Sequence, residues 1–315
     1  MAEVMLFGEP MVMFVAESEQ PLEDVERFSR SLAGAEINVG IGLTRLGHKA
    51  AYCTKLGKEP FGRYIEKKIK SEGIEVQVTY DDRYWTGFQL KNRVSEGDPE
   101  VVYFRRSSAA SHMTEEDVDK LDFSGAKILH VTGIPPALSQ SCRDATYRLM
   151  EKARANGMLI SFDPNLRLSL WESEEAMIWT VNDLASKADI VLPGTGEGKI
   201  LMGSEDPKMI AEFYRAIGAK TVIVKDGSKG AFVSSGEMEK HIPGFRVPRV
   251  VDTVGAGDGF AVGVLSALLE GLSLEEAVAR GNAIGAIQVS VRSDNEGLPT
   301  REELKAFMGE RGEPV

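Results

Sequence analysis

The sequence predicts an α/β protein whose helices cover both faces of a mostly parallel sheet, with a small antiparallel sheet from the N-terminal third. After residue 115, short apolar segments alternate with helical segments. The segments Ile128–Val131 and Val222–Val224 lack polar alternation, which is typical of strands buried on both faces. From Ile74 to Arg105, polar residues alternate with β-branched or aromatic ones. That pattern is typical of half-buried antiparallel strands.

The individual elements follow from these patterns in chain order. The N-terminal strands are predicted at Val4–Gly8, Met11–Ala16 and Ala50–Leu56. A glycine- and alanine-rich segment from Ala33 leads into a helix that ends near 46–47, and a second helix is predicted at Pro60–Ser71, ending before Gly73. The later strands are predicted at 127–132, 158–163, 190–193, 221–225 and 230–234, and the later helices near 139–156, 173–187, 206–217, 258–270, 274–291 and 300–308. We expect one domain over residues 1–315, into which a lid sheet is inserted from about 11–33 and 74–109.

Composition restricts the class of protein. The chain has 315 residues and a formal net charge of −11, so it repels nucleic acid in the absence of a strong basic patch. Its two cysteines, Cys53 and Cys142, exclude a disulfide framework and CxxC-type metal sites and favour a reducing cytoplasm. The N-terminus has no basic residue before its short apolar run, so it is interpreted as a first strand rather than a signal peptide. We expect neither nucleic-acid nor membrane partners.

The run Asp252–Asp258 (Asp-Thr-Val-Gly-Ala-Gly-Asp) is the strongest chemical signal. It follows an extended segment and opens an apolar helix. Backbone N–H groups at such a helix start, together with the helix dipole, favour an anion such as a phosphoryl group. A carboxylate there destabilises a bound phosphate unless it has another task, and accepting a proton from an attacking hydroxyl is one. The alternative is that Asp258 only caps the helix and the glycines form a tight turn.

This run, with the small residues Val262 and Gly263 after it, resembles the C-terminal signature of the ribokinase-like (PfkB) carbohydrate kinases. The N-terminal feature of that family is a glycine-rich turn followed by an Asn that contacts the sugar, and 33–38 (Ala-Gly-Ala-Glu-Ile-Asn) occupies that place. The resemblance covers essentially the whole chain. It implies a three-layer α/β/α core with a mostly parallel sheet, a small antiparallel β lid, and ATP-dependent transfer of a phosphoryl group to a sugar.

The resemblance also implies roles for individual residues. Asp258 would be the catalytic base, and Gly255, Ala256 and Gly257 would form the anion hole for the transferring phosphoryl group. Mg²⁺ would bridge the nucleotide phosphates, and a monovalent cation is left open as a further cofactor. The segment of the family nucleotide loop contributes Lys225, Gly227, Ser228 and Gly230, and Asn282 lies where the family lines its adenine pocket. Taken alone, the loop is equally typical of a β-hairpin turn and Asn282 of a helix surface.

A departure from the family concerns the metal. An Asn-x-x-Glu segment usually organises Mg²⁺ and its water, whereas this chain has Gly194-Thr-Gly-Glu197. Glu197 would therefore serve the metal indirectly, through water. The segment from Gly194 to Lys199 is not a P-loop, because the spacing is one residue short and Ile200 replaces the Ser or Thr that would bind magnesium.

Within the family the sequence is most similar to kinases of 2-keto-3-deoxygluconate, a sugar that carries a carboxylate. The residues that carry this similarity lie at 8–14, 34–38, 103–109, 163–167 and 294. The similarity implies that Gly34, Asn38, Tyr103, Arg105, Arg167, Asp258 and Asp294 bind the sugar. Arginine suits carboxylate geometry, although Arg105 could face solvent and Arg167 could contact ATP phosphate instead. Fructokinase and ribokinase activities remain alternatives within the family.

Two other classes of protein fit the sequence less well. In a dinucleotide-dependent oxidoreductase, the glycine runs at 255–257 and 194–196 would need a third glycine, but Phe260 and Lys199 stand there. A non-catalytic sugar-binding protein on the same fold is disfavoured because Asp258 is retained. Finally, the lid sheet carries apolar residues at Val101, Tyr103 and Phe104, so we expect a homo-oligomer that pairs through its lid.

Overall fold

The computed structural model describes residues 1–94, 99–291 and 295–310, with the side chain of Glu310 excepted. It confirms the predicted fold class: a large, mostly parallel sheet lies between two layers of helices, and a small second sheet projects from it. Within the described ranges, no helix is both long and apolar enough to cross a membrane.

The large sheet has nine strands in the order β13-β12-β11-β10-β9-β8-β1-β4-β5. In chain order these are β1 (Val4–Phe7), β4 (Ala50–Gly57), β5 (Glu75–Asp81), β8 (Ile128–Thr132), β9 (Leu159–Asp163), β10 (Ile190–Val191), β11 (Thr221–Lys225), β12 (Gly230–Ser234) and β13 (Glu239–Pro243). In this spatial order, every strand from β11 across to β5 pairs in parallel with its neighbours, and β12 and β13 add an antiparallel edge. The central strands are buried on both faces, which explains their unbroken apolar runs.

The lid sheet has four strands in the order β3-β2-β6-β7. They are β2 (Met11–Ala16), β3 (Phe28–Ala33), β6 (Phe88–Lys91) and β7 (Val101–Phe104). Two pairs are antiparallel as expected, but β2 and β6 run in parallel.

The predicted start of the second lid segment at 74 is wrong. Residues Glu75–Asp81 form β5, which pairs in parallel with β4 at the edge of the large sheet. Helix α2 (Pro60–Ser71) provides the crossover between these strands, and Val76, Val78 and Tyr80 pack beside it. An edge strand covered on one face shows the same alternation as a lid strand, so the pattern alone did not separate the two.

The helices account for the remaining regular structure. They are α1 (Ala35–Arg45), α2, α3 (Glu115–Asp119), α4 (Pro135–Leu138), α5 (Gln140–Ala155), α6 (Glu174–Ser186), α7 (Thr195–Met202), α8 (Pro207–Ile217), α9 (Ala256–Leu269), α10 (Leu274–Gln288) and α11 (Arg301–Glu310). Helix α7 and strand β13 were missed by the sequence analysis. Helix α9 begins two residues before the predicted 258, and this difference places Asp258 inside its first turn.

Each face of the large sheet has its own apolar core. One core joins the sheet to helices α1, α2, α9, α10 and α11, with Ile37, Ile65, Val264, Ile284 and Leu304 among its members. The other core joins the opposite face to α3 and to the helices from α4 to α8. The three-layer arrangement therefore fixes the ends of the central strands, where ligands bind in sheets of this kind.

Helices α9 and α10 approach each other at two glycines. A Cβ added at Gly263 would lie 2.5 Å from the backbone N and Cα of Gly281. Because backbone atoms cannot move aside like a flexible side chain, only glycine fits this contact. The contact holds α9, and hence the run that ends at Asp258, against the rest of the layer.

We predict that Gly263→Ala destabilises the protein by about 3 kcal/mol, because the added methyl group forces two helix backbones apart. Urea denaturation followed by circular dichroism measures this change. The matched control is Gly309→Ala in α11, where an added Cβ meets no atom within 4 Å. Equal stability of the two variants would contradict the proposed role of the close contact.

Candidate active site

A cavity of about 320 Å³ lies at the carboxyl ends of the central strands, between the large sheet and the lid sheet. Residues from both ends of the chain line it. They are Glu9, Met11, Ala33, Gly34, Ala35, Glu36, Asn38, Gln89, Tyr103, Arg105, Ile134, Asp163, Asn165, Arg167, Glu197, Lys225, Thr253, Val254, Gly255, Gly257 and Asp258. The cavity thus joins the two motifs that lie more than 200 residues apart in the sequence.

The N-terminus of α9 forms one wall of the cavity. Gly255 precedes the helix with φ of 79°, a left-handed conformation that favours glycine. The N–H groups of a first helical turn have no partners inside the helix, so they can bind an anion. Gly255 and Gly257 line the cavity. Ala256 does not, and its N–H donates to the carbonyl of Thr253 at 3.3 Å.

Asp258 lies in this first turn with its carboxylate nearly buried. Asn38 Nδ2 donates to Asp258 Oδ2 at 2.8 Å, and Asn165 Nδ2 donates to Oδ1 at 3.3 Å. Burial raises the pKa of Asp258 to about 6, while the Asn38 hydrogen bond and the positive charges of Arg167 and Lys225 oppose that rise. A carboxylate with a raised pKa that remains ionised near neutral pH can accept a proton.

Asn165 reaches Asp258 because its backbone is left-handed, with φ of 38°. The Asn165 N–H donates to Asp163 Oδ1 at 3.1 Å, which closes a turn directly after β9. Non-glycine residues adopt positive φ infrequently, and such strain concentrates at functional sites. The Asp163-Pro-Asn turn therefore places an amide donor beside the carboxylate of Asp258.

Lys225 at the end of β11 supplies a buried positive charge. Its Nζ lies 2.7 Å from Asp163 Oδ2 and 3.6 Å from the position a Gly257 Cβ would take. Burial alone would lower the pKa of Lys225, but the carboxylates of Asp163 and Glu197 raise it, so the ammonium stays charged. The charge therefore lies beside the α9 N-terminus, where it adds to the attraction for a phosphoryl group.

Glu197 is held by backbone amides. Its Oε2 accepts from the Gly194 N–H at 2.7 Å and its Oε1 from the Leu166 N–H at 3.0 Å. Each oxygen thus accepts a hydrogen bond from one backbone N–H, and α7 begins directly after Gly194. Burial raises the pKa of Glu197, and the positive charge of Lys225 opposes the rise.

The carboxylates of Asp163 and Glu197 fit an indirect magnesium site, in which water lies between the carboxylate and the metal. Within the described ranges, no group of three or more His, Cys, Asp or Glu side chains could hold a metal ion. Magnesium usually keeps several waters and is held by nucleotide phosphates plus one or two carboxylates. Asp163 and Glu197 both line the cavity and could accept hydrogen bonds from such waters. Glu197 therefore remains a candidate for the indirect role that we predicted.

Arg105, at the end of β7, is paired with a buried carboxylate. Its Nε and Nη2 lie 2.7 and 2.6 Å from Glu9 Oε2, and Ser108 Oγ donates to Glu9 Oε1. The guanidinium also lies 5.7 Å from the centre of the Tyr103 ring. Arg105 is 7 % exposed and lines the cavity, so it is not the solvent-facing residue of the alternative interpretation.

Arg167 presents the most accessible positive charge of the cavity. It is exposed, and its Nη1 donates to the carbonyl of Leu166 at 3.0 Å. Its charge lowers the pKa of Asp258. Arg167 thus faces the same space as Asp258, where it can attract either a substrate carboxylate or a nucleotide phosphate.

Glu36 is a second buried carboxyl group in the cavity wall. It lies in the first turn of α1, accepts a hydrogen bond from Thr132 Oγ1 and is 1 % exposed. Burial raises its pKa to about 7, and the Asp258 carboxylate adds to that rise. The Glu36 carboxyl group lies against Gly8, since a Cβ added there would overlap Glu36 Oε2.

The lid sheet is tied to the catalytic run by a buried ion pair. Lys91 Nζ at the end of β6 lies 3.2 Å from Asp252 Oδ2, and both side chains are less than a tenth exposed. Asp252 Oδ1 also accepts from the Val254 N–H at 3.0 Å. The first residue of the run Asp252–Asp258 therefore connects the lid sheet to the loop that precedes α9.

The structure brings most predicted site residues together, including Lys225, Gly255 and Gly257 of the nucleotide set, but not the rest of that set. Gly227 and Ser228 lie in the turn between β11 and β12, and Gly230 begins β12, all outside this cavity. Asn282 is buried on α10, where its Nδ2 donates to the carbonyls of Ile242 and Pro243 at 3.1 and 3.0 Å. Asp294 lies outside the described residues.

Sequence reasoning assigned no role to six polar residues of the cavity. Five of them lie within segments quoted for the family resemblance: Glu9, Glu36, Asp163, Asn165 and Thr253. Gln89 had no signal apart from its position in a half-polar strand. The expected burial of these residues would have indicated a role for them, because a charged residue inside an apolar segment usually has a partner or a function.

A helix N-terminus that can bind an anion, a nearly buried carboxyl group with a raised pKa and a charged cavity under the lid sheet together suit phosphoryl transfer. The sequence matches the pfkB family carbohydrate kinase model over residues 1–301. The chain therefore belongs to the pfkB family of carbohydrate kinases, and it is an ATP-dependent sugar kinase.

Three known proteins illustrate the similarity. A 2-dehydro-3-deoxygluconokinase of Bacillus subtilis (strain 168) is 48% identical over 308 residues, which cover 97% of this chain and 95% of that protein. A crystal structure of a PfkB protein from Polaromonas sp. JS666 has a TM-score of 0.90 and 46% identity, covering 97% of this chain and 100% of that one. An aminoimidazole riboside kinase from Salmonella enterica, complexed with its riboside and an ATP analog, has a TM-score of 0.84 and 25% identity, covering 97% of this chain and 99% of that one.

Proposed function

We propose that this kinase transfers the γ-phosphoryl group of ATP to the 6-hydroxyl of 2-keto-3-deoxygluconate, giving the 6-phosphate and ADP. The observation that carries the proposal is the buried Asp258 carboxylate beside the N-terminus of α9, in a cavity that also holds Arg105 and Arg167. The B. subtilis relative that is 48% identical bears the name of this activity, which supports the choice of sugar.

In the proposed reaction, Asp258 takes the proton of the 6-hydroxyl as that oxygen attacks the γ-phosphorus. The new oxygen–phosphorus bond forms while the bond from the γ-phosphorus to the bridging oxygen breaks, and ADP leaves. The backbone amides around Gly255 and Gly257 and the Lys225 ammonium stabilise the negative charge of the transferring group. Bound Mg²⁺ would neutralise charge on the nucleotide phosphates, with Asp163 and Glu197 orienting water around it.

The nucleotide would extend from this point over the turn that contains Gly227, Ser228 and Gly230. Gly227 and Gly230 have φ of 55° and 110°, so the turn bends sharply and exposes its backbone. Asn282 holds the end of β13 next to this turn through its two bonds to backbone carbonyls. We propose that these residues line the ribose and adenine site.

The sugar acid would lie between the lid sheet and α1. Gly34 and Asn38 would contact its hydroxyls, and Tyr103 would cover it from the lid sheet. Because Glu9 already neutralises Arg105, the accessible charge of Arg167 is the stronger attraction for the carboxylate. Asp294 remains a proposed sugar ligand by resemblance alone, and a monovalent cation remains an open cofactor.

We further propose that the protein is a cytoplasmic homo-oligomer. Both cysteines are unpaired and buried, which suits a reducing compartment. Val102 and Phe104 on β7 are 36% and 48% exposed, and because alternate residues of a strand share a face, they form an apolar strip on the face of the lid sheet opposite Tyr103. Pairing of lid sheets would cover this strip.

Replacing the base should abolish turnover. For Asp258→Asn we expect kcat to fall by about 10³-fold or more, because the attacking hydroxyl loses its proton acceptor. ATP binding, measured by calorimetry, should persist. In the wild type, kcat/KM should rise with pH up to about 6 and level off above it, as Asp258 loses its proton. The exposed Glu151→Gln serves as the control, and turnover of Asp258→Asn within tenfold of wild type would rule out the assigned base.

The choice of sugar is tested with a panel of 2-keto-3-deoxygluconate, fructose and ribose, assayed with ATP and Mg²⁺. We expect the highest kcat/KM on the sugar acid. Arg167→Ala should raise the KM for that substrate by about 10- to 100-fold, since a charge-assisted hydrogen bond is lost. The KM for fructose, which has no carboxylate, should change little. The matched control is Arg106→Ala, because Arg106 is also an exposed arginine but lies outside the cavity. A higher kcat/KM of the wild type on fructose or ribose would favour the alternative activities.

Oligomerisation is tested on the apolar strip. Phe104→Asp should lower the molar mass measured by light scattering, because a carboxylate buried in a lid–lid contact is costly. The control is Trp179→Asp on α6, where the replaced side chain is 65% exposed and lies away from the lid sheet. This variant should leave the molar mass unchanged. A monomeric wild type, or loss of assembly in the Trp179 variant alone, would contradict pairing through the lid sheet.

A further inference from the structure

The amide of Asn38 can approach Asp258 in two ways, and they have opposite consequences. A side-chain amide has a donating NH₂ end and an accepting oxygen end. If the NH₂ end faces Asp258, it stabilises the ionised carboxylate; if the oxygen faces it, only a protonated carboxyl can make the hydrogen bond. The observed arrangement is the first, with Asn38 Nδ2 at 2.8 Å from Asp258 Oδ2.

A second amide determines this choice. Asn295, which is 8% exposed and follows α10, places its Nδ2 at 3.2 Å from the backbone carbonyl of Leu32 and at 3.2 Å from Asn38 Oδ1. The Leu32 carbonyl can only accept, so the Asn295 atom that faces it is the donating nitrogen. The same nitrogen faces Asn38, whose oxygen must then point towards Asn295. The NH₂ end of Asn38 is left for Asp258.

We propose that Asn295 is a positioning residue that compels the Asn38 amide to donate to Asp258 and so keeps the catalytic base ready to accept a proton. The inference deepens the proposed function and rests on Asp258 as the base. Without Asn295, the Asn38 amide can turn its oxygen towards Asp258, and this pairing retains a proton on the carboxyl group. The chain of hydrogen bonds starts from Leu32 at the end of β3, so the orientation is set by the backbone of the lid sheet.

The other charges around Asp258 do not depend on this chain of hydrogen bonds. The Asp163 carboxylate raises the pKa of Asp258, and Arg167 and Lys225 lower it. Glu36 on α1 is coupled to Asp258 by repulsion between the two carboxylates. Replacement of Asn295 leaves all four groups in the sequence, so a change in the titration of Asp258 reports the Asn38 amide.

The test compares pH profiles of kcat/KM for the wild type, Asn295→Ala and Asn295→Leu, using whichever sugar of the panel the wild type phosphorylates best. Both variants remove the two donated hydrogen bonds, and leucine keeps the number and branching of the side-chain heavy atoms of asparagine. We expect the acid limb to move up by about one pH unit in both, so that kcat/KM falls about tenfold below the limb and stays close to wild type at high pH.

The matched control is Asn182→Ala. Asn182 Nδ2 donates to the Leu201 carbonyl at 3.0 Å and its Oδ1 accepts from Tyr214 Oη at 3.0 Å, so it loses two hydrogen bonds away from the cavity. The match is in the number of side-chain hydrogen bonds lost, since Asn182 donates one and accepts one. Its acid limb should stay at the wild-type position even if its melting temperature falls. If either Asn295 variant is too unstable to assay, the other one decides.

An unmoved acid limb in a folded Asn295 variant, or a loss of kcat/KM that is equal at all pH values, would overturn the proposal. Its failure is separable from that of the proposed function. If Asp258→Asn is inactive and the limb of the Asn295 variants is unmoved, only the role of Asn295 fails. If Asp258→Asn retains turnover, the base itself is wrongly assigned, and the inference falls with it.

Discussion

The site depends on one physical constraint: a carboxylate must stay ionised in a place where burial favours its proton. Asp258 lies at the N-terminal end of α9, whose dipole and free N–H groups favour negative charge there. Two amides donate to its oxygens, and two cations nearby oppose the effect of burial. The surrounding structure holds these groups in place. The close contact of α9 with α10 fixes the helix, and the turn at Asp163 fixes the amide of Asn165.

The charges in the cavity make a second constraint. Its walls carry the carboxylates of Glu9, Glu36, Asp163, Glu197 and Asp258 against the cations of Arg105, Arg167 and Lys225. Two of those cations are already paired with Glu9 and Asp163. Apart from the exposed Arg167, the side-chain charges therefore largely offset one another, and the backbone amides at the N-terminus of α9 become an important source of attraction for an anion.

Much of this architecture was predictable, because it depends on local chemistry. Buried strands show unbroken apolar runs, and the glycine run before Asp258 has few uses other than a tight helix start that approaches an anion. The edge strand β5 was misassigned because half-burial looks the same in both sheets. The pairing of Arg105 with Glu9 was not predictable, since the two residues meet only through the packing of β7 against the turn after β1. Likewise, the contacts of Asn295 with Asn38 and Leu32 join segments that are more than 250 residues apart.

The path of the chain into the lid sheet has a mechanical consequence. The chain enters the lid sheet at β2 through Glu9 and leaves it after β3 through Gly34, and both residues line the cavity. Lys91 adds a third connection, to the loop before α9. A tilt of the lid sheet thus moves the floor of the cavity as well as its roof. By thermodynamic linkage, a contact that holds the lid sheet in the tilt that favours ligand binding raises the affinity for the ligand, and the bound ligand strengthens that contact by the same factor.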